Sequence, residues 1–396
     1  MTAAQPARYC RPAMEAPVIA EIELEALRGN LQACRRRVPV GTSLCPAVKA
    51  DAYGHGVAHV LPVLAGAGVR RVAVANLDEA LALRGLGWTG GIQCFGPMLS
   101  TDSEHEQRQR ALAAVAGDIA LTIQSLPEAQ VLSAAAAHIG RPARAEIKVD
   151  TGMGRMGLLP ENAAGVAQTV QGCAGVLLEG IYTHLATADE PDLTFAHEQL
   201  TAFAWLREHL REKIPHVAFH AANSAAIFRL PEAHLDRVRP GLALYGYWTG
   251  PEDERPPDLR PSLRVVSRLT AVRALPAGHA VGYGRSFITP APCVIGIVPI
   301  GYADGYRRLL GNQAVMTLES RRGLPRHIVP VVGRVSMDQT AVDLSHAGEA
   351  RPGDRIVVID NDPSAAHSVE ALAHTLATIP YEVTCLLGQR VRRVAV

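Results

Sequence analysis

The 396-residue chain carries 39 basic and 38 acidic residues, a net charge of +1 with both signs interspersed, so nothing favours a nucleic-acid or anionic-membrane partner. Hydrophobic residues make up 48% and aromatics 5%, an ordinary globular composition with little material for a base-stacking surface. Seven cysteines without a C-x-x-C pair suggest neither a disulfide framework nor a zinc site, no run of eighteen apolar residues could cross a membrane, and the first 17 residues hold no signal-peptide core, so a soluble cytoplasmic protein is expected.

Taken in order, short apolar runs alternate with longer Ala/Leu/Arg segments up to about residue 247. Strands are predicted over 43–50, 71–76, 92–96, 119–123, 144–150, 175–185, 217–223 and 237–244. Helix-like stretches lie between them, among them 77–87, 126–138, 163–171 and 193–213. Eight strand–helix units in this length predict an α/β fold with an N-terminal (β/α)8 TIM-type barrel, with a doubly wound sheet as the other possibility. Proline and acidic residues over 249–261 read as a linker. Beyond it, β-rich runs over 262–274, 293–299, 314–318, 327–333, 340–343 and 355–359 predict a mainly β domain, interrupted by a helix over 369–379. The expected organisation is a tail over 1–15, a barrel over 16–258 and a C-terminal β domain over 259–396.

Lysine is scarce. It occurs only at 49, 148 and 213, which leaves 39 − 3 = 36 arginines. Where arginine serves as the default cation, a retained lysine is a candidate for work that needs a removable proton. Lys213 falls in the charged run 207–213 and reads as a solvated helix face. Lys49 stands at the carboxyl end of the first predicted barrel strand, the face on which barrel active sites gather. It opens the string Lys49-Ala50-Asp51-Ala52-Tyr53-Gly54-His55-Gly56, whose glycines allow a tight turn into a helix.

This string resembles the pyridoxal-phosphate signature of the alanine racemases, fold-type III enzymes. The likeness continues, in order, through Lys148-Val149-Asp150-Thr151-Gly152-Met153-Gly154-Arg155, Tyr182-Thr183-His184-Leu185-Ala186, Asn223-Ser224 and Arg239-Pro240-Gly241. In the second domain it runs through Val281-Gly282-Tyr283-Gly284, Gly301-Tyr302-Ala303-Asp304-Gly305, Met337-Asp338-Gln339 and Tyr381-Glu382-Val383, so it covers nearly the whole chain.

The resemblance implies a homodimeric isomerase that interconverts L- and D-alanine with pyridoxal 5'-phosphate, supplying D-alanine for peptidoglycan. Lys49 would form the internal aldimine and serve as base on one substrate face, with Tyr283 of the partner subunit on the other. His184 would tune that tyrosine, and Arg239 would face the pyridine nitrogen. Because arginine keeps its proton, the ring nitrogen would stay unprotonated, which limits side reactions such as transamination. Tyr53, Ser224, Gly241, Leu242 and Tyr381 would hold the phosphate, the last barrel strands being a common phosphate site. Arg155, Met337 and Tyr302 would bind substrate, and Lys148 matches a position that is carbamylated in many members. No metal is expected.

Ser336 stands where many members carry cysteine. The cysteine-free 73–76 stretch speaks against the periplasmic broad-specificity racemases, and Tyr381 favours alanine over serine. A racemase of serine or other small amino acids, a fold-type III decarboxylase and a non-catalytic pyridoxal-phosphate homeostasis protein are the alternatives. Arg239 weighs against the second and the β domain against the third.

Overall fold

The computed structural model describes residues 16–97, 103–319 and 326–396; the tail over 1–15 lies outside them. The chain forms two compact units. One comprises 22–263 with 361–385 and 395–396, and the other 264–360 and 386–394 with the N-terminal segment up to Glu21.

After a first strand, β1 (Val18–Ile22), the barrel unit contains β2 (Ser43–Leu44), β3 (Arg71–Val74), β4 (Gly91–Pro97), β5 (Ile119–Ile123), β6 (Ala143–Lys148), β7 (Val176–Tyr182), β8 (Ala218–His220) and β9 (Arg237–Val238). All eight predicted barrel strands are present. β3 to β8 form one parallel sheet in sequence order, and β2 pairs with β9. Backbone hydrogen bonds complete the ring: Val48 N–H to Ala73 O joins β2 to β3, and Asp236 N–H to Phe219 O joins β8 to β9. β5 is buried at every residue, as expected of a parallel strand covered on both faces.

Two strands are much shorter than the apolar runs that announce them. Pro46 has no N–H to continue the ladder after β2, and Pro240 ends β9 in the same way. The chain beyond Pro240 turns into a 3-10 helix, Leu242–Tyr245.

The helices start where local chemistry supplies caps. The Asn76 side chain accepts the N–H of Glu79, Ser125 that of Glu128, and Asn223 that of Ala226.

The second unit is mainly β. Its strands are β10 (Leu263–Arg268), β11 (Ala271–Leu275), β12 (Ala280–Val281), β13 (Phe287–Ile288), β14 (Cys293–Val298), β15 (Val315–Glu319), β16 (His327–Pro330), β17 (Thr340–Asp343), β18 (Arg355–Ile359) and β19 (Arg392–Ala395). The predicted run 262–274 is thus two strands, and β1 joins the large sheet in the order β16-β15-β18-β10-β1-β19. β12 and β13 form a hairpin over a small core of Val281, Cys293, Ile295 and Val332.

Candidate active site

Lys49 precedes the longest left-handed run of non-glycine backbone among the described residues. Ala50, Asp51, Ala52 and Tyr53 all have φ between 51° and 56°, a left-handed turn of four non-glycine residues. Each such residue costs roughly 1–2 kcal/mol, so the surroundings must hold the turn in place. Glu79 does so from the helix Leu77–Gly85: Oε1 accepts the N–H of Ala50 at 2.7 Å and Oε2 that of Ala75 at 2.8 Å. Asp51 accepts the N–H of Val57 at 2.7 Å, and the buried His55 ring lies 3.0 Å from the carbonyls of Ala52 and Tyr53. Gly54 closes the turn at φ 81°, where a Cβ would lie 2.0 Å from the Thr384 carbonyl oxygen.

Around Lys49 the barrel mouth gathers positive charge. Burial, then Arg155, hold the Lys49 amine below its ordinary pKa. Lys148, only 4% exposed at the end of β6, is pushed down to about 8 by burial and then by Arg155 and Arg239. Arg155 itself is exposed, on a loop folded around the Asp150 carboxylate, which accepts the N–H groups of Gly152 and Gly154.

His184 follows β7 and is pushed down to about 3 by burial and by Arg239, Arg155 and both lysines. It is therefore neutral at pH 7. A tuning role for it rests on hydrogen bonding rather than on positive charge. Gln199 braces this segment: its amide donates to the His184 carbonyl and to Thr151 Oγ1, and accepts the N–H of Ala186.

Arg239 is buried. Nη2 donates to the carbonyls of Thr183 at 2.7 Å and Ala221 at 2.9 Å, Nη1 to His220 Nδ1 at 2.7 Å, and the guanidinium lies 5.4 Å from the Tyr182 ring centre. Burial brings its pKa down to about 10, which leaves it charged at neutral pH.

The predicted phosphate residues converge beside this cluster. Ser224 opens the short helix Ser224–Arg229, and its Oγ accepts the N–H groups of Gly241 at 2.9 Å and Ala243 at 3.2 Å. The Gly241 N–H, expected as a phosphate donor, is thus engaged by Ser224. A Cβ on Gly241 would lie 2.7 Å from Tyr53 Oη, so glycine keeps this cradle open. Tyr53 packs between Tyr245 and Tyr381, at ring-centre distances of 5.1 and 5.8 Å. Leu242, the first residue of the 3-10 helix, is buried.

Tyr283, Tyr302 and Met337 lie in the β unit. Tyr283 occupies the tip between β12 and β13, flanked by Gly282 and Gly284 at φ 70° and 71°, and is 71% exposed. The N–H groups of Tyr302 and Ala303 donate to the carbonyls of Ser336 and Met337, locking those two segments together. Gly301 permits this approach, since a Cβ there would lie 2.3 Å from both carbonyl oxygens.

Several residues of this machinery escaped the sequence reading, notably Glu79, Glu146, His220, Arg237 and Gln199. Glu146 had a signal: an acid between Ala145 and Ile147 in a buried strand needs partners.

Comparison with known proteins covers the whole of this architecture. The family model for the alanine racemase N-terminal domain matches residues 22–248, and that for the alanine racemase C-terminal domain matches 262–395. An alanine racemase of Desulfovibrio desulfuricans is 40% identical over 381 residues, 96% of this chain and 98% of its own. The crystal structure of alanine racemase from D-cycloserine-producing Streptomyces lavendulae superposes with a TM-score of 0.86 at 34% identity, over 97% of this chain and 98% of that one. The Bartonella henselae alanine racemase, with covalently bound pyridoxal phosphate, gives 0.81 at 28% identity, over 96% and 100%.

Proposed function

The chain belongs to the alanine racemase family, and from that premise we propose that Lys49 and Tyr283 interconvert L- and D-alanine by proton transfer at opposite faces of the substrate. The observation that carries this reading is the convergence of Lys49, Lys148, Arg155, His184 and Arg239 at one end of the barrel, beside the cradle of Ser224, Gly241 and Tyr53.

The residues present fit pyridoxal phosphate. Gly241 leaves open a space that any Cβ would fill, hydroxyls of Ser224 and Tyr53 border it, and the Lys49 amine is depressed toward its neutral, nucleophilic form. Tyr53, Ser224, Gly241, Leu242 and Tyr381 would hold the phosphate and Arg239 would face the ring nitrogen. When bound, the cofactor supplies an electrophilic carbon for amines and a conjugated ring that delocalises the electron pair left at Cα.

Lys49 Nζ takes the Cα proton from one face, which its depressed pKa permits. The hydroxyl of Tyr283 returns a proton to the other face. A single base would deliver the proton back to the face it left. The exposed tip position of Tyr283 supports its insertion into the barrel mouth of a second copy, so the working form is a homodimer. Arg155 holds the substrate carboxylate together with the backbone N–H of the partner subunit's Met337, and Tyr302 completes the substrate-binding set.

Lys148 sits among three cations with Asp150 as the anion nearby. With a pKa of about 8, roughly a tenth of its amines are neutral at pH 7. A neutral amine attacks the carbon of CO2, releases one N–H proton and becomes a carbamate anion able to pair with Arg155.

Among the described residues no helix is long and apolar enough to cross a membrane, in keeping with a cytoplasmic enzyme that supplies D-alanine to peptidoglycan. The bulk of Tyr381, packed 5.8 Å from Tyr53, supports alanine over serine.

The test is incubation of the purified protein with L-alanine in deuterated water. Inversion with deuterium at Cα is expected. Exchange without inversion would remove the two-base assignment, and wild-type cofactor absorbance in Lys49→Ala would sink the scheme.

A further inference from the structure

Glu146 lies on β6 inside the barrel with no solvent exposure. A lone carboxylate there would be prohibitively costly, and both of its oxygens are engaged. Arg237 Nη1 donates to Oε1 at 2.5 Å, and His220 Nε2 lies 3.1 Å from Oε2. The opposite ring nitrogen, Nδ1, lies 2.7 Å from Arg239 Nη1.

A guanidinium has no acceptor, so the direction of that last bond is forced: Arg239 donates and Nδ1 accepts. Nδ1 therefore carries no proton. The proton of the neutral ring is on Nε2, where Glu146 accepts it. Both contacts select the same tautomer; Arg237 Nη1 also lies 3.4 Å from Nε2, but its short bond is the one to Glu146 at 2.5 Å.

The ring is also held in place. Tyr182 stacks on it at 5.2 Å and 13°. Gly180 makes room behind it, since a Cβ there would lie 3.1 Å from His220 Nε2 and 3.0 Å from Glu146 Cδ. The acid is tied outward in turn: Arg71 Nη1 lies 3.7 Å from Glu146 while Nη2 holds Glu179 at 2.8 Å, and Arg144 bridges Glu179 to Asp118. Burial and the charge of Arg237 push the His220 pKa down to about 3, consistent with a neutral ring.

We infer that Glu146, fixed by Arg237, is a positioning residue for Arg239, acting through the tautomer of His220. Without the acid, only the Arg239 contact still selects the tautomer, and part of the His220 population carries its proton on Nδ1. It would then meet Arg239 donor to donor and turn the guanidinium away. The consequence for turnover rests on the reading above, in which Arg239 faces the cofactor ring; the tautomer itself does not.

The holoenzyme is labelled with 15N-histidine and His220 is assigned by the resonance lost in His220→Gln. Long-range proton–nitrogen correlation is expected to show a bare Nδ1 and a protonated Nε2, unchanged between pH 6 and 9. A protonated Nδ1, or a titration in that range, would overturn the inference.

The double variant Glu146→Met/Arg237→Met removes both ions together, so that neither is stranded. It is expected to fold, to show a mixture of Nδ1–H and Nε2–H at His220, and to lose at least tenfold in kcat with KM within twofold. If kcat stays within twofold while the tautomer changes, Arg239 does not depend on this relay and the inference falls. Should the double variant not fold, Glu146→Gln offers one acceptor for two donors, and the same mixed tautomer and loss of kcat are expected. A wild-type protein that does not racemise alanine would overturn the function proposed above, whereas the tautomer is read without turnover, so the two failures are told apart.

Discussion

Gly241 is where a single added carbon has the most direct chemical consequence. Its Cβ would lie 2.7 Å from Tyr53 Oη, and the Tyr53 ring, buried against Tyr245 and Tyr381, has little room to withdraw. Gly241→Val is therefore expected to weaken pyridoxal-phosphate affinity by at least tenfold, measured by absorbance titration, and to lower the unfolding midpoint of the cofactor-free chain. Unchanged affinity would move the phosphate elsewhere. At this scale the sequence was informative wherever residue type alone limits chemistry. Lysine scarcity narrowed the search to Lys49, Lys148 and Lys213, the surrounding motifs chose the first two, and burial holds both of these below the ordinary lysine pKa. The sequence could not name His220 as the partner of Glu146, because a contact across 74 residues of chain depends on which strands become neighbours.

The left-handed turn after Lys49 stores strain at the level of an element. Glu79→Ala would strand the N–H groups of Ala50 and Ala75, and each unmet donor costs about 1–3 kcal/mol when buried. A loss of about 1–3 kcal/mol by urea unfolding is expected, the turn being partly open to water, together with a shift in the absorbance of the Lys49-bound cofactor. A variant as stable as wild type with an unshifted spectrum would show that the turn holds without Glu79. Ala50→Gly relaxes one strained residue and is expected to raise stability by up to about 1 kcal/mol, the relief exceeding the added chain entropy. A measured decrease would mean that the surroundings already compensate the strain. Nothing in the sequence disclosed this turn, since four residues with Cβ atoms adopt it. The same local blindness hid the early ends of β2 and β9, although Pro46 and Pro240 gave a physical reason to expect them. The order of the eight barrel strands was legible because each is an apolar run between helical segments.

For the whole molecule, the buried histidine sets the response to acid. His220 has a folded pKa of about 3 against an ordinary 6.5. Above pH 6.5 the ring is neutral whether the chain is folded or unfolded, and no stability is lost. Below it the unfolded chain binds a proton that the folded chain refuses, so stability falls by about 1.4 kcal/mol per pH unit, approaching its limit near the folded value. His184 acts in the same direction. Urea midpoints at pH 7, 6 and 5 are expected to decline, and His220→Gln to decline less steeply. Equal slopes would mean that another group dominates.

The seam of the barrel has a temporal consequence. Ser43 meets Asp236 across 193 residues, and each strand at the joint is two residues long. Contacts of such separation are slow to form, because the entropy of closing the intervening chain is lost before any reward arrives. During synthesis β2 leaves the ribosome long before β9 exists, so the first barrel strand can meet β3 early but waits for β9 through the making of the rest of the barrel. Lys49 follows that strand by a few residues. The amine on which the chemistry depends is thus made long before the strand that closes the ring beside it.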